Sequence, residues 1–167
     1  YVTMFRNYSP GYRTTPAVTT NITAFRTGPY NRYYNLVGNV AGRAAWTTGT
    51  AVCNSGSCSN PRGYEFGVHT DGSYMDSQSK STSLNHGNFD FVTDGVVLWE
   101  GGTDHVLPAS LYYNSKPAFF GNSAWPPFGF DLSPVTNKLP AQDRFNGTAK
   151  ADNPPGPPAP PINLTVQ

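Results

Sequence analysis

The chain has 167 residues, of which 37% are hydrophobic, and a net charge of +1, so it is long enough for one domain with a buried core. The near-neutral charge and the absence of any RNA-binding motif argue against a nucleic-acid-binding protein, and no apolar run approaches the ~20 residues of a membrane span. Only 13% of the residues are charged. Asn, Ser, Thr, Gly, Pro and Tyr take their place, which disfavours long helices and predicts an all-β chain.

Three short segments repeat one pattern, a β-favouring run that ends on Asn or Asp. The segments are YVTMFRN (1–7), YYNLVGN (33–39) and NFDFVTD (88–94). Their apolar residues align as Met4, Leu36 and Phe91, and their last residues as Asn7, Asn39 and Asp94. Repeats that cannot bury their apolar faces alone stack on one another. The pattern therefore predicts the rungs of a parallel β-helix, in which Asn7 and Asn39 either form a hydrogen-bonded ladder or are ordinary turn residues.

Arginine is the only basic residue type up to position 62, and no Asp or Glu precedes Glu65. The planar guanidinium suits carboxylate, sulfate or phosphate. The segment therefore either presents an anion-binding surface, or its arginines pair with acidic residues later in the chain or with absent N-terminal rungs. These residues are Arg6, Arg13, Arg26, Arg32, Arg43 and Arg62.

Cys53 and Cys58 lie in the Gly- and Ser-rich segment AVCNSGSCSN, where four intervening residues can close a small disulfide ring. Two cysteines alone cannot form a structural zinc site, and the spacing is not that of a CxxC redox motif. A disulfide implies an oxidising compartment, so we expect a secreted or cell-surface protein. The alternative is a pair of free thiols. This loop and the Ser-rich stretch 71–87 are interpreted as insertions between rungs.

The clearest strand material is FDFVTDGVVLWE (89–100), in which the Asp94-Gly95 step signals a turn or bulge. The run 96–99 is typical of a strand buried on both faces, as in parallel sheets. Asp90 and Asp94 share a face if the strand is regular, and such a pair could perform acid–base chemistry or bind Ca²⁺. With His86 they are weak catalytic candidates, and the alternative is a pair of solvated carboxylates.

Aromatic residues make up 14% of the chain, and exposed Tyr and Trp rings can stack on the apolar faces of sugars. The candidate substrate-binding residues are Tyr30, Arg32, Tyr33 and Tyr34, which cluster in GPYNRYYN, together with Arg43 and Arg62 near loops. The alternative is that these aromatic residues pack in the core. His69 with Asp71, in GVHTDG, is a further acid–base or weak metal candidate. The alternative for both His69 and His86 is an ordinary surface or loop histidine. No metal site is predicted from the spacing of the histidines.

The chain changes character after Glu100. We interpret residues 1–106 as rungs with loop insertions, 107–148 as an irregular cap rich in aromatic residues and proline, and 149–167 as a Pro-rich linker or tail.

A family resemblance rests on three sequence motifs, which occur in the order HGNFDFVT, LPASLYYNSKPAFFG and WPPFG. The resemblance covers roughly residues 1–145. The chain resembles the C-terminal part of secreted bacterial right-handed parallel β-helix proteins of the pectate-lyase-like superfamily. The resemblance implies an extracellular or cell-surface setting and polysaccharide as the partner. No lyase motif matches residue by residue, so it assigns no catalytic residue and implies no cofactor, with Ca²⁺ as the one possible exception.

Three functions follow from these expectations. In the first, the chain is the structural and glycan-contacting end of an extracellular protein that binds or processes polysaccharide, and any lyase or glycoside hydrolase centre lies outside this segment. In the second, the chain is a non-catalytic structural or adhesive module of a cell-surface or phage fibre. In the third, it is a self-standing carbohydrate-binding domain. The first two require missing N-terminal rungs or neighbouring subunits as partners.

Overall fold

A computed structural model describes residues 1–11 and 20–147, with residues 96–98 described by their backbone alone. The described strands are β1 (Val2–Phe5), β2 (Tyr8–Ser9), β3 (Thr23–Thr27), β4 (Tyr34–Val37), β5 (Val40–Ala41), β6 (Thr50–Cys53), β7 (Arg62–Phe66), β8 (Leu84–Asp90) and β9 (Gly95–Trp99). Two short helices, α1 (Ser77–Ser81) and α2 (Pro140–Phe145), and a single 3₁₀ turn (Ala118–Phe120) complete the described elements. Arg13 and the Pro-rich tail predicted at 149–167 lie outside the described residues.

The larger sheet has six strands. β1 pairs parallel with β4, and β2 pairs parallel with β5. Both β4 and β5 pair parallel with the two halves of β8. β9 then turns back along the other side of β8 in the antiparallel direction. β1 and β2 are therefore left at the edge of the sheet that lies farthest from β9.

The smaller sheet has three parallel strands in the order β3-β7-β6. The main core lies between the two sheets, because its buried members come from strands of both: Phe25, Leu36, Ala41, Tyr64 and Phe66. The sheets are also joined by a polar contact, since the Tyr64 hydroxyl lies 2.9 Å from the Phe89 carbonyl and 3.0 Å from that of Asn39. Burial first, and the nearby Asp90 second, raise the pKa of Tyr64 well above its usual range.

The expected fold class, an all-β right-handed parallel β-helix, is wrong. Two small parallel sheets and two short helices form the described part of the chain. The Asp94-Gly95 step is the main cause, because Asp94 adopts a left-handed φ of 50° and the chain reverses there into β9. Residues 96–99 thus form an antiparallel strand instead of another parallel one. The Ser-rich stretch 71–87 contains α1, whose first turn is capped by Asp76, and the start of β8.

An asparagine ladder crosses the larger sheet. The Asn7 side-chain amide donates to Asn39 Oδ1 at 3.3 Å, and the Asn39 amide donates to Asn88 Oδ1 at 3.2 Å. The side-chain amides of Asn39 and Asn88 also donate to carbonyls of the preceding strand. Asn39 donates to the Met4 carbonyl and Asn88 to the Leu36 carbonyl, both at 2.9 Å. The predicted ladder of Asn7 and Asn39 is confirmed, and so is the register of Met4 with Leu36.

The third segment of the repeat was aligned wrongly. Leu36 pairs with Asn85, not with Phe91, and Asn88 instead of Asp94 completes the ladder. Each ladder asparagine follows a residue with left-handed backbone, with φ of 48°, 65° and 64° for Arg6, Gly38 and Gly87. The Gly-Asn dipeptides of VGN and HGN were therefore the sequence signal that fixes the register.

Replacing Asn39 by alanine is expected to lower the free energy of unfolding by about 2 kcal/mol. Asn39 is fully buried, and its loss leaves the Asn7 amide and the Met4 carbonyl without their partners. Urea denaturation followed by fluorescence measures the change. Asn35→Ala is the control, because Asn35 bonds only at the surface, to the Thr3 hydroxyl. Equal losses in the two variants would show that the ladder adds nothing to stability.

The other face of the larger sheet is covered by residues 107–139, here called the outer segment. Val40 points to this face because its neighbour Ala41 points into the main core. There it packs with Phe89 and Phe128 in a second buried cluster. The outer segment is irregular, as its prolines predict, and it lies along a face of the sheet. The domain boundaries themselves stay a prediction.

Two further expectations can be compared with the structure. Cys53 and Cys58 form the predicted disulfide, and Arg62 donates to the Cys58 carbonyl at the base of the small ring that it closes. Within residues 1–11 and 20–147, no helix has the length and apolar character needed to cross a membrane.

Candidate binding cleft

An open cleft of about 400 Å³ lies between β1 and the outer segment. One wall is formed by residues of β1 and the two that follow it, and the other by the aromatic and proline-rich stretch 109–127. The lining residues are Thr3, Phe5, Arg6, Asn7, Ala109, Ser110, Leu111, Tyr112, Phe120, Trp125 and Pro127.

Aromatic rings dominate the wall that the outer segment provides. Phe120 is buried, and its ring meets that of Trp125 edge to face, with centroids 4.8 Å apart. Tyr113 meets the same Trp125 ring at 6.3 Å. The turn before them is shaped by Ser110, whose hydroxyl oxygen accepts the backbone N–H groups of Tyr112 and Tyr113, each at 3.0 Å. This turn leaves the Tyr112 side chain 90% exposed at the rim of the cleft.

Arg6 forms the floor of the cleft and ties its walls together. Its guanidinium makes five hydrogen bonds to the outer segment, to the carbonyls of Leu107, Pro108 and Phe128 and to both carboxylate oxygens of Asp131. The side chain is almost completely buried, so its five donors are already used. Arg6 therefore positions the cleft, and the groups left for a ligand are the exposed side chains of Thr3 and Asn7.

The predicted sugar-binding cluster is divided by the structure. Arg32 and the Tyr30 backbone both bind the carboxylate of Asp76, at 3.4 and 2.9 Å. Burial would raise the pKa of Asp76, but these hydrogen bonds, with those from Gln78 and Ser79, lower it. Tyr34 packs against the main core. Tyr33 is half exposed, so only its ring and that of Tyr30 remain at the surface.

The remaining substrate-binding candidates are also held within the protein. Arg62 binds the buried Glu65 carboxylate as well as the Cys58 carbonyl. Arg43 is half-buried and close enough to Tyr8 for its charge to oppose the rise in the pKa of Tyr8 that burial causes. Neither arginine lines the cleft.

The three weak catalytic candidates are not arranged as an acid–base pair. β8 ends at Asp90, which is fully buried and accepts hydrogen bonds from the Thr93 backbone and hydroxyl at 2.8 and 2.7 Å. Asp94 lies in the turn that follows and is exposed. The regular strand that would have put the two carboxylates on one face is therefore absent. His86 Nδ1 contacts the Glu100 carbonyl, and its ring packs edge to face on Trp99 at 4.7 Å.

His69 and Asp71 are the one histidine–aspartate pair that the structure brings together as the sequence suggested, with Nδ1 and Oδ1 2.6 Å apart. Both are exposed in a tight turn, and hydrogen bonds from Ser73 are the main cause that holds the pKa of Asp71 far below its usual range. Across the described residues, no three His, Cys, Asp or Glu side chains are grouped as metal ligands would be. Binding of Ca²⁺ stays a prediction.

The residues of the cleft were not among the sequence candidates, because the outer segment was interpreted as packing material alone. The available signal was its excess of aromatic residues over what a short irregular segment can bury. Leu111, Tyr112, Tyr113 and Phe119 are all about half exposed or more. Comparison with models of known protein families, with characterised proteins and with solved structures finds no match for the chain. The resemblance to the pectate-lyase-like superfamily stays a prediction that rests on its sequence phrases.

Proposed function

We propose that this chain binds polysaccharide in the cleft between β1 and the outer segment, as the glycan-contacting part of an extracellular protein. The single observation that carries the proposal is the composition of the cleft. It combines open aromatic rings, which can stack on the apolar faces of sugar rings, with the exposed hydroxyl of Thr3 and amide of Asn7. Sites that fix a ligand with a few placed polar groups on an apolar wall are typical of small-molecule recognition.

The lining of the cleft favours binding over cleavage. Glycoside hydrolysis generally needs two carboxyl groups that flank the scissile bond. The residues that line this cleft include no Asp, Glu or His, and the only charged one, Arg6, is used within the protein. A catalytic centre, if the complete protein has one, is therefore proposed to lie outside the cleft.

Replacing Tyr112 or Trp125 by alanine is expected to weaken binding of a matching oligosaccharide by at least about tenfold, because each variant removes a stacking surface. A panel of neutral and uronic-acid oligosaccharides is first screened by glycan array, and the best ligand is then titrated by calorimetry. Phe145→Ala is the matched control, since Phe145 is equally exposed and lies in α2 outside the cleft.

Two results would contradict the proposal: no oligosaccharide in the panel binds, or Phe145→Ala weakens binding as much as Tyr112→Ala. The second candidate function, a structural or adhesive module, is favoured by a different observation: the outer edge of β1 has no partner among the described strands.

A further inference from the structure

The outer edge of the larger sheet, at β1, is unpaired within the described residues. β1 pairs with β4 on one side and with no described strand on the other. The N–H groups of Val2 and Arg6 point toward β4 and donate to the carbonyls of Tyr33 and Val37. Because successive backbone groups of a strand alternate in direction, those of Thr3 and Phe5 face outward. The side chains of Tyr1, Val2, Thr3 and Asn7 along this edge are exposed. Such an edge is a template for pairing with a further strand.

The asparagine ladder stops at Asn7, which makes two of the five kinds of ladder hydrogen bond that Asn39 makes. In each completed step, the asparagine oxygen accepts the backbone N–H of the asparagine in the preceding strand, at 3.0 Å from Asn7 to Asn39 and again from Asn39 to Asn88. Within the described residues, the Asn7 side chain only donates, to Asn39 Oδ1, and no hydrogen bond to Asn7 Oδ1 is present. Its own Oδ1 is therefore left without a donor.

The direction of the ladder specifies what can complete it. Asn39 and Asn88 each donate to the carbonyl three residues before the asparagine of the preceding strand, Met4 before Asn7 and Leu36 before Asn39. A strand added at β1 that repeats this step must run parallel to β1. It must carry an asparagine that donates to Asn7 Oδ1, and its carbonyl three residues earlier must accept from the Asn7 amide.

We infer that the β1 edge is a docking site for a parallel, asparagine-bearing strand of a partner polypeptide. This mode of recognition is β-strand addition, in which main-chain hydrogen bonds give affinity and one side chain fixes the register. A second copy of the chain does not offer such a strand at its opposite edge, because β9 runs antiparallel to β8 and its sequence GVVLW has no asparagine. The inference does not rest on glycan binding, but Thr3 and Asn7 also line the cleft, so a docked strand would compete with a glycan for them.

A synthetic peptide with the sequence of residues 33–41 (YYNLVGNVA) is the probe, because β4 already makes the required pairing with β8: Asn39 donates to Asn88 Oδ1, and the Leu36 carbonyl accepts from the Asn88 amide. The peptide is titrated into the isotope-labelled chain, and amide hydrogen exchange is followed by NMR. Exchange of the Thr3 and Phe5 amides is expected to slow at least about tenfold at saturation. Replacing the seventh residue of the peptide by alanine is expected to weaken binding about tenfold, because the ladder bonds are lost.

Asn7→Ala in the chain is expected to weaken binding of the original peptide by a similar factor, whereas Asn122→Ala, at another exposed asparagine, leaves it unchanged. Thr3→Pro removes an outward N–H group and is expected to abolish binding while the rest of the spectrum is retained. The inference is overturned if the Thr3 and Phe5 amides keep their exchange rates at millimolar peptide, or if the alanine peptide binds equally well. It is also overturned if these amides become protected by self-association of the chain without peptide.

Discussion

Replacing Arg6 by alanine is expected to lower the free energy of unfolding by about 3–5 kcal/mol, since it removes an almost completely buried guanidinium and its five hydrogen bonds to the outer segment. Among the described residues, the Arg6 guanidinium alone binds the Leu107, Pro108 and Phe128 carbonyls and the Asp131 carboxylate together. Its loss leaves these acceptors facing one another across an emptied space. We expect a shift in the midpoint of urea denaturation, together with increased proteolysis of the outer segment.

Arg6→Lys and Arg6→Gly separate the causes of this loss. Lysine keeps the charge but cannot reproduce the five bonds of the planar group, so most of the destabilisation should remain. Glycine removes the same bonds and relieves the left-handed backbone at residue 6, where φ is 48°, so it should cost about 1 kcal/mol less than alanine. A lysine variant as stable as the natural chain would show that charge alone matters there.

The same contact predicts a pH dependence that serves as an internal check. Partial burial alone would raise the pKa of Asp131, but the hydrogen bonds and charge of Arg6 lower it below its usual value. Because the folded pKa is the lower one, this stabilisation is present above the unfolded pKa of about 3.9 and is lost as the pH falls through the folded value. The gap in stability between the natural chain and Arg6→Ala should therefore narrow below about pH 4.

Glu65→Ala is expected to lower the free energy of unfolding by a comparable amount, about 3–5 kcal/mol. The Glu65 carboxylate is fully buried in β7 and lies between two arginines, with Arg26 Nε 2.7 Å from Oε1 and Arg62 against Oε2. Glu65 is the one acidic side chain that pairs with the largely buried Arg62 within the described residues, so its loss leaves the positive charge of Arg62 without that partner. Thermal and urea unfolding measure the change.

Glu65→Gln is the matched control, because glutamine keeps the size and the hydrogen-bonding oxygen and removes only the charge. It should retain part of the stability that alanine loses. Arg26→Ala should cost less than Glu65→Ala, since the Arg26 side chain is 31% exposed and a solvated arm of an ion pair contributes little. If Glu65→Ala costs less than about 1 kcal/mol, the ion pairs of the Glu65 carboxylate with Arg26 and Arg62 do not stabilise the fold.

The pairing of the arginines was predictable from the sequence in kind, but not in its partners. The N-terminal segment contains arginine and no Asp or Glu, which left two alternatives. The arginines could form an anion-binding surface, or they could pair with acidic residues later in the chain. The structure confirms pairing for Arg6, Arg26, Arg32 and Arg62, whose partners are Asp131, Glu65, Asp76 and Glu65. The sequence could name the residue types but not the partners, because each of these contacts except that of Arg62 spans 39 or more residues of chain.

The sheet was predictable where the pattern was local. Met4 with Leu36, and Asn7 with Asn39, lie in equal heptapeptides and were aligned correctly. The third strand was missed because its inward positions are polar: Asn85 and Asn88 are buried and satisfied by hydrogen bonds, so hydrophobicity drew the alignment to Phe91. The cleft was not predictable, since it arises where two segments a hundred residues apart in the chain meet.

The contacts of Arg6 also determine when the chain can complete its folding. β1 leaves the ribosome before the outer segment, and the partners of the Arg6 guanidinium are 101 to 125 residues farther along the chain. The growing chain must therefore keep an unpaired strand edge and an unpaired cation in water until the outer segment has been synthesised. Closure of the molecule is a late, non-local step, and the nascent protein depends on the charge of Arg6 and on its polar edge residues to stay unaggregated until then.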